Sequence, residues 1–202
     1  MTKMLWQSRA IALWTALAVI CCTAANAQTH AQAQAQKKPA AKPTATAKPA
    51  SGPTAQAVLL GQFGDWGAYT ASPDGKKVCF ALSKPTSAVI VPSNRKRDPS
   101  YAFVSTRPAE KVKNEVSVIV GYPQKPGVDA TATIGSATYV MYTQNDGAWI
   151  KNAAEEAQMV ETMRKGSDMV VKSESHSGAK TTDTYSLKGL GQALDKVAEE
   201  CK

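Results

Sequence analysis

The sequence predicts a mainly β domain, an antiparallel β-sandwich or open barrel carrying one short helix and a C-terminal helix. Three observations lead there. From residue 66 to residue 186, short β-branched and aromatic runs follow one another closely, broken by turn chemistry such as Ser72-Pro73-Asp74-Gly75-Lys76 and Asn145-Asp146-Gly147. Only two stretches repeat apolar residues at steps of three and four, around Ala153–Lys165 and at the C-terminus. The strands crowd too closely for βαβ crossovers, so the sheet is expected to be mostly antiparallel.

Taken in order, Met1–Arg9 holds two cations and no acid, and Ala10–Ala24 is apolar or small, ending in Ala25-Asn26-Ala27. This is the pattern of a secretory signal peptide, residues 1–27, with the mature chain starting at Gln28. Its apolar run is short for a membrane span, so no integral span is expected after cleavage. Residues 28–57 are almost wholly Ala, Gln, Lys, Pro and Thr and have nothing large to bury, which predicts a disordered linker with polyproline character. The domain is expected over residues 58–202.

The chain holds 24 basic and 16 acidic residues. Six of the bases and none of the acids precede residue 59, so the remaining stretch is nearly balanced at 18 against 16. The high pI therefore belongs to the tail, and nucleic acid is not expected as a partner. Lys37, Lys38, Lys42 and Lys48 of the tail are candidate contacts to an anionic envelope component. In the domain, Arg95-Lys96-Arg97 is a second candidate anion-binding cluster, placed in a loop expected over Pro85–Pro99.

Strands are expected at Trp66–Ala71, Lys77–Ser83, Tyr101–Thr106, Glu115–Gly121, Thr131–Ile134, Thr138–Thr143, Ala148–Ile150, Ser167–Glu174 and Lys180–Ser186. In the second, Val78, Phe80 and Leu82 alternate with Cys79, Ala81 and Ser83, and the larger side chains are assigned to the core. Asn152 and Glu155 form a capping pair for a helix over Ala153–Lys165 that stops at Gly166, with Ala154, Ala157, Val160 and Met163 inward. Ser186 stands where an N-cap of the last helix would be, and Leu187, Leu190, Leu194, Val197, Ala198 and Cys201 form its apolar stripe.

Cys21 and Cys22 leave with the signal peptide, so Cys79 and Cys201 remain, and in an oxidising compartment they are expected to pair. The bridge would bring the terminal helix over the face that carries Cys79.

Catalytic chemistry finds little support. His176, in Ser173-Glu174-Ser175-His176-Ser177-Gly178, lies at an expected hairpin tip without a nucleophile elbow. No cofactor loop or metal-ligand spacing is present. Phe63, Trp66, Tyr69, Tyr101, Tyr139, Tyr142 and Trp149 are either core residues or a platform for stacking carbohydrate.

Phe63-Gly64-Asp65-Trp66, Lys77-Val78-Cys79, Ser83-Lys84-Pro85, the helix running to Gly166, and Thr184-Tyr185-Ser186-Leu187-Lys188-Gly189-Leu190 before Cys201 together resemble the invasion-associated locus B family of bacterial envelope proteins, over residues 61–202. Members often carry a further cysteine soon after the first tryptophan. Gly67–Ser72 has none, so a second disulfide is not implied. The resemblance implies an exported, non-enzymatic binding protein, periplasmic or at the outer surface, acting on an unknown protein or anionic envelope component and contributing to host-cell contact. A cell-wall-directed enzyme or enzyme inhibitor is the alternative.

Overall fold

The computed structural model describes residues 57–202. The expected signal peptide, nearly all of the expected linker, and Lys37, Lys38, Lys42 and Lys48 lie outside the described residues.

The strands are β1 (Val58–Phe63), β2 (Trp66–Ala71), β3 (Val78–Ser83), β4 (Ser87–Val91), β5 (Tyr101–Arg107), β6 (Val112–Ile119), β7 (Ala130–Ile134), β8 (Ala137–Gln144), β9 (Gly147–Ile150), β10 (Asp168–Glu174) and β11 (Lys180–Ser186). Helix α1 (Ala153–Lys165) joins β9 to β10, and α2 (Leu190–Glu200) follows β11. All strands join one antiparallel sheet in the order β1-β2-β3-β5-β6-β9-β8-β7-β10-β11-β4. Of the two expected architectures it is the open one, with β1 and β4 at its edges.

The sheet bends until its far ends share one core. Trp66 at the start of β2 donates its indole N–H to the Ser186 carbonyl at the end of β11, at 2.8 Å. Trp66 and Tyr185 are both fully buried in the same cluster. On the inner face, α2 packs across β1, β2 and β3, and α1 lies on β6, β8 and β9.

Which face of β3 is inward differs from the sequence reading. Cys79 and Ala81 belong to the main core, whereas Phe80 and Leu82 point outward and form a smaller cluster with Phe103. The reason is helix packing. Ala68, Cys79, Ala81 and Ala102 are small, so α2 lies close to the sheet, where rings at those positions would hold it off.

The helices show two further corrections. Helix α1 has the expected bounds, and Asn152 Oδ1 caps it by accepting from the N–H of Ala154 at 2.8 Å and of Glu155 at 3.4 Å. Its buried face is Met159, Val160 and Met163, while Ala154 and Ala157 are exposed, because the first turns meet β6 through Glu156, which accepts from the Val116 N–H at 2.7 Å, and leave an open hollow beside Ala157. Helix α2 begins four residues beyond Ser186, with Gly189 as its N-cap. Ser186 instead ends β11, and its Oγ accepts from the Lys188 N–H at 3.3 Å. Ala193, not Ala198, completes the buried stripe of Leu190, Leu194 and Val197.

Strands β1 and β4 were not expected. Both are edges: β4 is exposed along nearly all of its length, and in β1 exposed Val58 and Leu59 sit beside Leu60 and Phe63, which pack against the core, so neither shows the alternation that marks a half-buried strand. Pro85 and Pro92 flank β4 and give that stretch its loop-like composition.

Candidate functional site

The cysteine expectation is met. Cys79 on β3 and Cys201 just after α2 form a disulfide with a Cα–Cα distance of 6.0 Å. Beside it, the Lys77 ammonium donates to a Glu200 carboxylate oxygen at 2.6 Å and to the Glu200 carbonyl at 2.7 Å.

The motif glycines have a backbone role. The turn between β1 and β2 and the turn between β11 and α2 lie against each other, with the Asp65 N–H donating to the Lys188 carbonyl at 3.1 Å. Gly189 has φ 90°, and a Cβ there would fall 1.9 Å from the Phe63 carbonyl oxygen. A Cβ on Gly64 would fall 2.6 Å from the Lys188 oxygen. Two motif pieces more than 120 residues apart thus interlock through bare backbone.

The Arg95-Lys96-Arg97 cluster is divided. Arg95 and Lys96 are exposed, but Arg97 turns inward. Its guanidinium makes a two-pronged ion pair with Asp183 of β11 and donates to the Val120 carbonyl at 2.8 Å. Asp183 is 1% exposed. Ser100 donates to it at 3.0 Å and bonds in turn to the Tyr185 hydroxyl. Burial disfavours the Arg97 cation, but the hydrogen bond and charge of Asp183 outweigh this and hold its pKa above the ordinary arginine value. Burial likewise pushes the Tyr185 phenol well up. Arg97 is therefore withdrawn from the candidate anion contacts; it fastens the connection from β4 to β5 onto β11.

The aromatics separate by face. Trp66 and Tyr139 are buried in the main core, and Phe63 packs against it. Tyr69, Tyr101, Tyr142 and Trp149 lie on the outer face, only partly covered, with Phe80 and Phe103 buried among them. Tyr69 stacks on Phe80 at a centroid distance of 5.4 Å, Phe103 lies 5.8 Å from Phe80 and 6.2 Å from Tyr101, and Tyr142 lies 5.7 Å from Trp149. The pairing register carries Leu82, Phe103, Ser117, Trp149 and Tyr142 in one row across β3, β5, β6, β9 and β8. The Trp149 ring lies over Gly147, where a Cβ would meet it at 2.1 Å. Sequence alternation marked these strands but not the inner or outer choice, which is why Phe80 and Phe103 were missing from the candidate platform.

At one end of this face is a cleft of about 380 Å³ lined by Gln62, Asp65, Tyr69, Lys84 and Thr86, among others. It draws on both Phe63-Gly64-Asp65-Trp66 and Ser83-Lys84-Pro85. Lys84 also lies 5.8 Å from the Tyr101 ring centroid. A second hollow of about 370 Å³ sits beside the disulfide, with Lys111, Lys113 and Lys202 around Val112 and Ala198.

His176 is exposed at the tip between β10 and β11, its backbone N–H donating to the Pro123 carbonyl at 2.9 Å. Among the described residues, no three His, Cys, Asp or Glu side chains are grouped to hold a metal ion. No helix among them is long and apolar enough to cross a membrane.

A family model described as invasion associated locus B (IalB) protein matches residues 66–198. No curated protein and no solved structure matches the chain.

Proposed function

Since the chain belongs to the invasion associated locus B family, we propose that it is an exported, non-enzymatic protein of the cell envelope that works by binding, in the periplasm or at the outer surface. The observation that carries this reading is the outer face of the sheet. Six aromatic side chains there sit on a rigid antiparallel scaffold, four of them partly open to contact, with a polar cleft at one end. Partly exposed rings over a fixed sheet provide contact area at little cost in chain entropy, which is what a recognition surface requires. The cysteine pair, joined as a disulfide, favours an oxidising compartment, in keeping with the signal-peptide pattern. Contact with a host cell is the process in which the binding would be used.

The test is retention of envelope components from a detergent extract by the immobilised protein. Tyr101→Ala with Trp149→Ala should abolish retention while His176→Ala leaves it intact. Turnover of cell-wall material that His176→Ala abolishes would replace this reading with an enzymatic one.

A further inference from the structure

The two edges of the sheet are finished differently. In β1 the register with β2 shifts between Leu59 and Gly61, a bulge of the kind that spoils a strand as a template. In β4 the five residues Ser87-Ala88-Val89-Ile90-Val91 pair with β11 in unbroken register from Thr184 to Lys180. Nothing pairs with its other side among the described residues. Its outward Val89 and Val91 are 52% and 61% exposed. The strand itself contains no charge, proline or bulge, the usual devices that keep a second chain from adding to an edge. Pro85 and Pro92 limit the open stretch to about this length by removing the backbone N–H on either side.

The surroundings of β4 say what would be accepted. From Gly75 to Arg97 the chain holds no acidic residue. Exposed Lys84 precedes the strand, exposed Arg95 and Lys96 follow it, and exposed Lys180 of β11 lies opposite Val91. Of the acids around these cations, exposed Asp98 stands two residues after Lys96, exposed Asp65 lines the cleft shared with Lys84, and half-buried Glu174 of β10 lies opposite Lys180 and bonds to Lys125. A second copy pairing edge to edge would set Lys84 against Arg95 and Lys96 in the antiparallel arrangement, and like against like in the parallel one. Either is repulsive. An extended segment with an apolar, β-prone centre and acidic residues at both ends meets the cations with opposite charge and the open backbone with its own.

We propose that β4 is a docking edge at which an extended, acidic-ended segment of a partner protein adds as a twelfth strand, its apolar side chains beside Val89 and Val91 and its acids toward Lys84, Lys180, Arg95 and Lys96. This is strand addition, in which backbone hydrogen bonds supply affinity and flanking side chains supply choice. It rests on the reading of the protein as a binding module and names one of its surfaces.

The probe is the blocked peptide Glu-Glu-Val-Thr-Val-Thr-Val-Glu-Glu, titrated into isotopically labelled full-length processed protein and followed by amide chemical shifts. Shifts should concentrate at residues 84–96 and 180–184. Replacing the terminal Glu residues by Lys should weaken binding about tenfold, the combined effect of a few exposed ion pairs. N-methylation of alternate peptide amides should abolish binding to the unaltered protein. Val89→Lys should remove binding, and Arg95→Glu with Lys96→Glu should favour the Lys-ended peptide. No shifts at β4 up to about 1 mM peptide, a dissociation constant near the weakest useful affinity, would overturn the proposal. So would indifference to the charge of the peptide ends, or a concentration-dependent dimer that Val89→Lys dissolves, which would make a second copy the occupant. Envelope retention that survives Val89→Lys but not Tyr101→Ala with Trp149→Ala would remove β4 from the binding and leave the module reading standing.

Discussion

Two clasps hold distant parts of this domain together, one covalent and one ionic. At one end of the sheet Cys79 and Cys201 tie α2 to β3. Toward the other, Arg97, Asp183, Ser100 and Tyr185 tie the connection after β4 to β11. The covalent clasp acts largely by restricting the unfolded chain, and its residues need only come within bonding range. The ionic clasp acts only in the folded state, where every polar atom must be satisfied, because a buried charge without its partner is costly. The first depends on redox conditions and hardly on neighbouring packing; the second has the opposite dependence.

That contrast orders the expected effects. Asp183→Ala strands the Arg97 cation in a half-dry site and should cost about 3–5 kcal/mol, the usual penalty for removing one partner of a buried pair. The loss, read from urea midpoints, should be the same size with and without a reductant. Equal stability of Asp183→Ala and the parent would show that the ionic clasp is solvated and carries no load.

Cys79→Ser should cost about 2–5 kcal/mol, the range for a native bridge in a small secreted domain. Dithiothreitol should lower the parent's stability by a similar amount and leave the variant unchanged. Thiol titration of the denatured, unreduced protein lacking residues 1–27 should find neither Cys79 nor Cys201 free, and two free thiols would remove the covalent clasp from the comparison.

The clasps should also separate by pH. Burial raises the Tyr185 phenol well above its ordinary value, so the folded state keeps this proton while the unfolded state releases it near pH 10. Above that pH the unfolded chain binds fewer protons than the folded one, and stability falls as pH rises. Tyr185→Phe should remove this part of the alkaline slope in thermal melts, whereas Cys79→Ser should leave it in place. An unchanged slope in Tyr185→Phe would assign alkaline loosening elsewhere.

The smallest effect belongs to the exposed Lys77–Glu200 pair next to the disulfide. Both side chains are well exposed, so Glu200→Gln should cost between about 0.2 and 1 kcal/mol. The difference should vanish in high salt, and a larger, salt-insensitive loss would mean that the pair fastens α2 alongside the bridge.

Much of the fold was legible because its causes are local. The Asn152 cap and the Gly166 stop mark α1 to the residue, since they satisfy backbone groups within one turn. Asn145 and Asp146 make a two-residue hairpin between β8 and β9 for the same reason. Cys79 and Cys201 were legible by elimination, once the two early cysteines were assigned to the signal peptide. The candidate surface was only partly legible. Tyr69, Tyr101, Tyr142 and Trp149 could be named, but not separated from Trp66 and Tyr139.

The periodicity, turn chemistry, cysteine count and tail composition were readable in the chain because each is a property of neighbours or of simple counting. Tertiary structure decided what depends on residues far apart. It chose the inner face of β3, since an alternating strand is the same read from either side and only the approach of α2 favoured small Cys79 and Ala81 over Phe80 and Leu82. It paired Arg97 with Asp183 across 86 residues, turning inward a loop cation that the sequence offered as an anion contact. It placed β4 at an edge, where exposure on both sides erases the alternation that identifies a strand. Periodicity reports that a segment has two faces; only the neighbours that cover one of them determine which face is dry.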